Sequence, residues 1–103
     1  MFDFDEKYLT DIPVVVLDTE TTGLHTALGH RVVEIGAIRL EERNEIETFQ
    51  TLINPNRPIE PSASKVTGIF DDDVCNAPKF ENIADSLSNF LDGALIVAHN
   101  ANF

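Results

Sequence analysis

Val14-Val15-Val16-Leu17-Asp18-Thr19-Glu20-Thr21-Thr22-Gly23-Leu24, VVVLDTETTGL, is the stretch of this 103-residue chain whose reading sets the expected fold. Val14 to Asp18 is a short run of mostly β-branched apolar residues, which suits a strand covered on both faces. Asp18 and Glu20 stand two apart at its end. Side chains alternate along a strand, so both carboxylates project to the same side. Two anions held that close repel each other unless something compensates. A hard divalent cation does so well. An Asp-x-Glu pair in this position is also compatible with two solvated acids, or with acids capping a turn. Thr21, Thr22 and Gly23 then form a turn whose backbone N–H groups and hydroxyls could meet a phosphate. Gly23 allows close backbone approach there.

Outward from this stretch, Arg31 to Leu40 (RVVEIGAIRL) reads as a second strand. Ile46 to Asn54 (IETFQTLIN) reads as a third, with apolar residues at Ile46 and Phe49 and polar ones between. Short polar links between the three predict an antiparallel meander. The segment from Pro55 to Pro78 holds four of the five prolines and reads mostly as loop, with one helical turn over Pro61 to Val66. KFENIADSLSNFLDG is the clearest helix. Phe80, Ile83, Ala84, Leu87, Phe90 and Leu91 share one face, Pro78 precedes it and Gly93 follows. Leu95 to Ala98 is then a last strand, running into His99 and Asn100. A helix between strands is a crossover, so this strand should lie parallel to an earlier one. The expected class is a mixed α/β sheet in the order β-β-β-α-β, with residues 1–12 as a leader and 13–103 as one domain.

The composition narrows the function. Eighteen acids against seven basic residues give a net charge of −11. That balance argues against broad electrostatic binding to phosphate backbones, but leaves room for a narrow site where metal ions neutralise local acid. Most of the acids suit a solubilising surface. Cys75 is the only cysteine, so no internal disulfide forms. It reads as a half-buried small apolar residue. The start carries four acids and one lysine in MFDFDEKYLTDIP, unlike a secretory signal. No apolar run approaches the roughly 20 residues that span a bilayer. The expected setting is cytoplasmic, with no membrane.

Taken together, LDTETTGL, HRVVEIGAI, INPNRPIEPSASKVTGI and IVAHNANF, in that order and spacing from about Pro13 to Phe103, resemble the DnaQ-like branch of the DEDD superfamily of 3′→5′ exonucleases. The resemblance implies an RNase H-like fold, truncated here to a little over half of the family domain. It implies a hydrolase that removes nucleoside 5′-monophosphates from DNA 3′ ends, of proofreading or repair type. DNA is preferred over RNA because DTETTG is similar to the proofreading branch.

On this resemblance Asp18 and Glu20 match the first two of four metal-binding acids, and two divalent ions, Mg²⁺ or Mn²⁺, are expected in the complete domain. The third acid would directly follow the residue matched by Phe103. The fourth, and a His or Tyr base, would lie in a later motif. Thr21, Thr22, Gly23 and Leu24 match the turn that cradles the terminal nucleotide, with Leu24 against its base. Thr67, Gly68 and Ile69 match a second nucleotide-facing segment, and His99, Asn100 and Phe103 match residues beside the scissile end. Core packing accounts equally well for Leu24, Ile69 and Phe103. His25 and His30 read as surface loop residues.

The partners implied are a single-stranded or frayed DNA 3′ end, and either a DNA polymerase subunit or the missing half of the domain. Two of four acids and no base predict a chain inactive on its own. An open sheet face predicts self-association. A different class of function is a non-catalytic nucleotide-binding or polymerase-docking remnant of the same fold. An acid directly after Phe103 in the reading frame would favour the enzyme, and a stop codon the remnant.

Overall fold

A computed structural model describes residues 12–25, 29–41 and 45–98. The elements are β1 (Val14–Thr21), β2 (Val32–Glu41), β3 (Glu45–Leu52), α1 (Pro61–Thr67), α2 (Asp71–Val74), α3 (Phe80–Leu91) and β4 (Leu95–Ala98). The four strands form one sheet in the order β3-β2-β1-β4. β1, β2 and β3 make the expected antiparallel meander. β4 runs parallel to β1, from Val14 opposite Leu95 to Leu17 opposite Ala98. The connection from β3 to β4 therefore carries the chain from one sheet edge to the other. Its helices lie over the face they cross.

That face is the core. Val15, Ile35 and Ala37 are buried on it, and Leu17 packs there with Ile35, Ile53, Leu87, Ile83 and Leu91. The helical spacing read in α3 thus turns Ile83, Leu87 and Leu91 inward. Phe80 is the exception, half exposed at the helix entrance. Arg39 anchors the other end, donating from Nη1 to the Phe90 carbonyl at 2.6 Å. A cation suits the negative end of a helix. A second cluster of Val33, Ile59, Ile69 and Val74 packs beneath α1 and α2.

No other described element covers the opposite sheet face. Val16, Ile38, Leu40 and Val97 are each between 43% and 52% exposed. Among the described residues β1 is therefore covered on one face, not on both as its apolar run suggests. Asp18 and Glu20 belong to this open face, because they alternate with Leu17 and Thr19.

Three local readings change. β1 does not stop at Asp18 but continues to Thr21, since Asp18, Thr19 and Glu20 pair with Gly36, Ile35 and Glu34. The acids sit inside the strand, on a stiffer support than a strand end. Asp71 to Val74, read as loop, forms a short helix. Asp73 Oδ2 accepts the Phe70 N–H at 2.8 Å, and three acids in the first turn suit the positive end of the helix. Cys75 is exposed rather than half-buried. Its thiol donates to the Asp72 carbonyl at 3.3 Å, because it stands on the outer side of that turn.

Candidate active site

The open end of β1 builds the site. Register shifts between Glu20 and Thr21: Glu20 faces Glu34, but Thr21 faces Val32. The extra residue, Val33, is fully buried. Such a bulge bends the strand and re-aims the side chains beyond it, and bulges recur beside active sites. Here it turns the chain from the flat sheet into the Thr22–Leu24 turn.

Thr22 holds that turn. It is fully buried. Its N–H donates to the Arg31 carbonyl at 2.7 Å, and its carbonyl accepts from the Glu60 N–H at 2.9 Å. Its hydroxyl accepts from the Arg31 N–H at 2.9 Å. All three polar groups are engaged within the fold, so Thr22 supports the site rather than facing it. Thr21 donates its hydroxyl to the Gly23 carbonyl at 2.6 Å, which tightens the turn further.

The bond from Glu60 brings α1 alongside. Pro61 starts this helix and Gly68 ends it, at φ 76°, donating to the Ser64 carbonyl. Between turn and helix lies a cavity of about 460 Å³. Glu20, Thr21, Gly23 and Leu24 form one wall, and Ala63, Val66 and Thr67 the other. Leu24 and Val66 are 85% and 86% exposed, two apolar lips facing solvent. Large apolar side chains left uncovered around a polar floor are suited to a flat, partly apolar ligand such as a nucleobase.

The expected residues divide accordingly. Glu20, Thr21, Gly23, Leu24 and Thr67 meet at one cavity. Asp18 stands two residues back on the same strand face, exposed, with Oδ1 accepting the Thr19 N–H at 2.9 Å. Ile69 is buried in the cluster beneath α1, where its side chain packs with Val33, Ile59 and Val74. His99, Asn100 and Phe103 lie outside the described residues. Of the residues that sequence reasoning passed over, Ala63 and Val66 line the cavity, and Glu34 stands directly across from Glu20. Helical spacing from Ala63 to Val66 and Thr67 was the available signal for the helix wall. His30, read as a surface loop residue, is 8% exposed, because the chain folds it back against Gly23.

The donor set fits a hard divalent cation. Asp18 and Glu20 offer carboxylate oxygens from a rigid strand, and neither forms an ion pair among the described residues. Gly36, opposite Asp18, leaves open space on that face. Mg²⁺ characteristically uses one or two carboxylates together with substrate phosphate. Among the described residues no group of three metal-ligating side chains comes together.

Comparison with known proteins agrees with this architecture. A family model described as Exonuclease matches residues 15–103. DNA polymerase III subunit epsilon of Treponema pallidum (strain Nichols) is 45% identical over 92 residues, covering 89% of this chain and 42% of that protein. A PolC-type DNA polymerase III of Caldanaerobacter subterraneus subsp. tengcongensis is 42% identical, covering 86% of this chain and 6% of that one. The chain thus spans about two fifths of the epsilon subunit it matches.

Among solved structures, exonuclease X in complex with 5′ overhanging duplex DNA superposes with a TM-score of 0.70 at 30% identity. It covers 87% of this chain and 50% of that one. Product-bound exonuclease I gives a TM-score of 0.74 at 22% identity, covering 87% and 22%, which shows the shared RNase H-like fold. With the strand order, the paired acids of β1 and the family match all in agreement, the chain belongs to the exonuclease family.

Proposed function

We propose that this chain forms the nucleotide-gripping half of a metal-dependent 3′→5′ exonuclease that trims DNA 3′ ends to nucleoside 5′-monophosphates. The observation that carries this reading is the position of Glu20. It lines the cavity between the turn and α1, and it shares a strand face with Asp18. One carboxylate pair therefore borders the place where a terminal nucleotide would lie.

The chain's own residues have separable tasks in this scheme. Leu24 and Val66 press on the faces and edge of a terminal base, excluding water. The Thr21–Gly23 backbone and Thr67 border the sugar. Asp18 and Glu20 would hold divalent ions at the scissile phosphate. Such ions, when bound, neutralise phosphate charge and activate water. Glu20 touches both the cavity and the metal position, so it sets the distance between the gripped nucleotide and the bond to be cut.

The 103-residue chain does not turn over on its own in this reading. Two carboxylates are fewer than a two-metal centre requires, and no third ligand joins them among the described residues. The remaining ligands and a base come from polypeptide beyond Ala98 or from a partner. The test is mononucleotide release from a 3′-recessed oligonucleotide with Mn²⁺. No release is expected, together with Mn²⁺-dependent binding of thymidine 5′-monophosphate. Release that Asp18→Ala abolishes would overturn the inactivity. Absence of nucleotide binding would overturn the assignment of the cavity.

A further inference from the structure

We propose that His30 is a positioning residue that fixes the width of the nucleotide cavity by bracing its two walls against each other. The proposal rests on reading that cavity as the nucleotide site.

His30 is nine-tenths buried, although no apolar periodicity marks it. It lies between two cavities, lining the nucleotide cavity on one side and a second cleft of about 540 Å³ on the other. Its ring is held from both ends. Nδ1 accepts the His25 backbone N–H at 2.9 Å, just beyond the Thr22–Leu24 turn. Nδ1 then carries no proton in the neutral ring, so the ring proton resides on Nε2. Nε2 faces Glu60 Oε1 at 3.4 Å. Glu60 immediately precedes Pro61 at the head of α1, and Arg57 Nη2 lies 3.6 Å from the same carboxylate oxygen. One imidazole thus links the turn wall to the helix wall.

The ring also sets the identity of residue 23. A Cβ on Gly23 would fall well inside contact distance of the His30 Cε1, Nδ1 and Nε2 atoms. Gly23 has no left-handed φ, so the requirement for glycine is steric and comes from His30. The turn backbone rests directly on the imidazole plane. This places Gly23 and Leu24 at a fixed height over the cavity. The polar partners of the His30 ring are the His25 N–H and Glu60 rather than Asp18 or Glu20, so its action is on nucleotide geometry and not on metal affinity.

Calorimetric titration of the chain with thymidine 5′-monophosphate in Mn²⁺ tests this, with Mn²⁺ binding alone and thermal melting measured beside it. His30→Ala should weaken nucleotide binding roughly tenfold or more, about 1.4 kcal/mol. Mn²⁺ affinity without nucleotide should stay within about twofold, as expected for a site with no shared partner. His30→Asn should recover most of the affinity, since its Oδ1 can replace Nδ1 as acceptor for the His25 N–H. Gly23→Ala should weaken binding in the wild-type background, and add nothing once His30 is also alanine. His30→Asn and Gly23→Ala keep the test decisive if the His30→Ala chain melts below the assay temperature. Wild-type affinity in His30→Ala, or an equal Gly23→Ala loss in both backgrounds, would overturn the bracing role. Wild-type chain that binds no nucleotide would overturn the cavity assignment instead, and this inference with it.

Discussion

Glu20 on β1 stands directly across the sheet from Glu34 on β2. Like charges in directly opposed positions destabilise a sheet. Asp18 shares their face, and none of the three carboxylates forms an ion pair among the described residues, although Gln50 Nε2 donates to Glu34 Oε2 at 3.4 Å. In the proposed reading, a cation bound at Asp18 and Glu20 would relieve this repulsion. Glu20→Gln should therefore raise metal-free stability by about 0.5 kcal/mol, a shift of a few degrees in Tm for a chain of this size. The same change should reduce the gain in Tm that Mn²⁺ gives the wild-type chain. Differential scanning fluorimetry with and without Mn²⁺ reads both effects.

Thr22 should behave as a structural residue. Thr22→Val keeps the shape but leaves the Arg31 N–H, part-buried beside the fully buried Thr22, without its side-chain acceptor. The expected loss is about 1–3 kcal/mol by urea unfolding, with an unchanged m-value. A neutral substitution would mean that the hydroxyl reaches ligand or solvent rather than Arg31.

Two glycines should respond oppositely to alanine. Gly68 closes α1 at φ 76°, where a Cβ is strained. Gly68→Ala should cost roughly 1 kcal/mol or more. Gly36 has an ordinary φ and open space where a Cβ would sit. Gly36→Ala should stabilise by about 0.5–1 kcal/mol, because strand glycine carries an entropic penalty. Thermal melts of both variants check the pair.

The uncovered sheet face should drive association of the chain with itself. Val16, Ile38, Leu40 and Val97 line it, each more than two-fifths exposed. Contiguous apolar surface of this kind marks an interface or an aggregation site. The wild-type sedimentation coefficient should rise with concentration, and Ile38→Lys should flatten that rise. Concentration-independent sedimentation of the wild-type chain would show that the face tolerates water.

The sequence carried the order of elements because hydrophobic period reports it directly. VVVLD, the helix face of Ile83, Leu87 and Leu91, and LIVA all fall where the pattern puts them. The end of β1 was not legible. Asp18 and Glu20 are poor strand formers alone, and their strand is made by partners more than a dozen residues away. Asp71 to Val74 could have been found, since three acids before an apolar residue are a helix-start signal. His30 could not, because its burial depends on the turn folding back over Gly23, and no local period encodes that. Asp18 and Glu20 were legible as a pair, but their bulge, their opposite acid Glu34 and the helix wall at Ala63 and Val66 are products of pairing and packing.

Adding Mn²⁺ to isotope-labelled chain and following backbone amide signals locates the metal site most directly. Paramagnetic broadening should begin at Thr19, Thr21 and Gly36, around Asp18 and Glu20, and should vanish in the Asp18→Asn, Glu20→Gln double variant. The acids at Asp71 and Asp73 form the natural competitor, although both already accept backbone N–H groups, from Ile59 and Phe70. Broadening that starts at Asp71 to Asp73, or that survives the double variant, would contradict a metal site on β1.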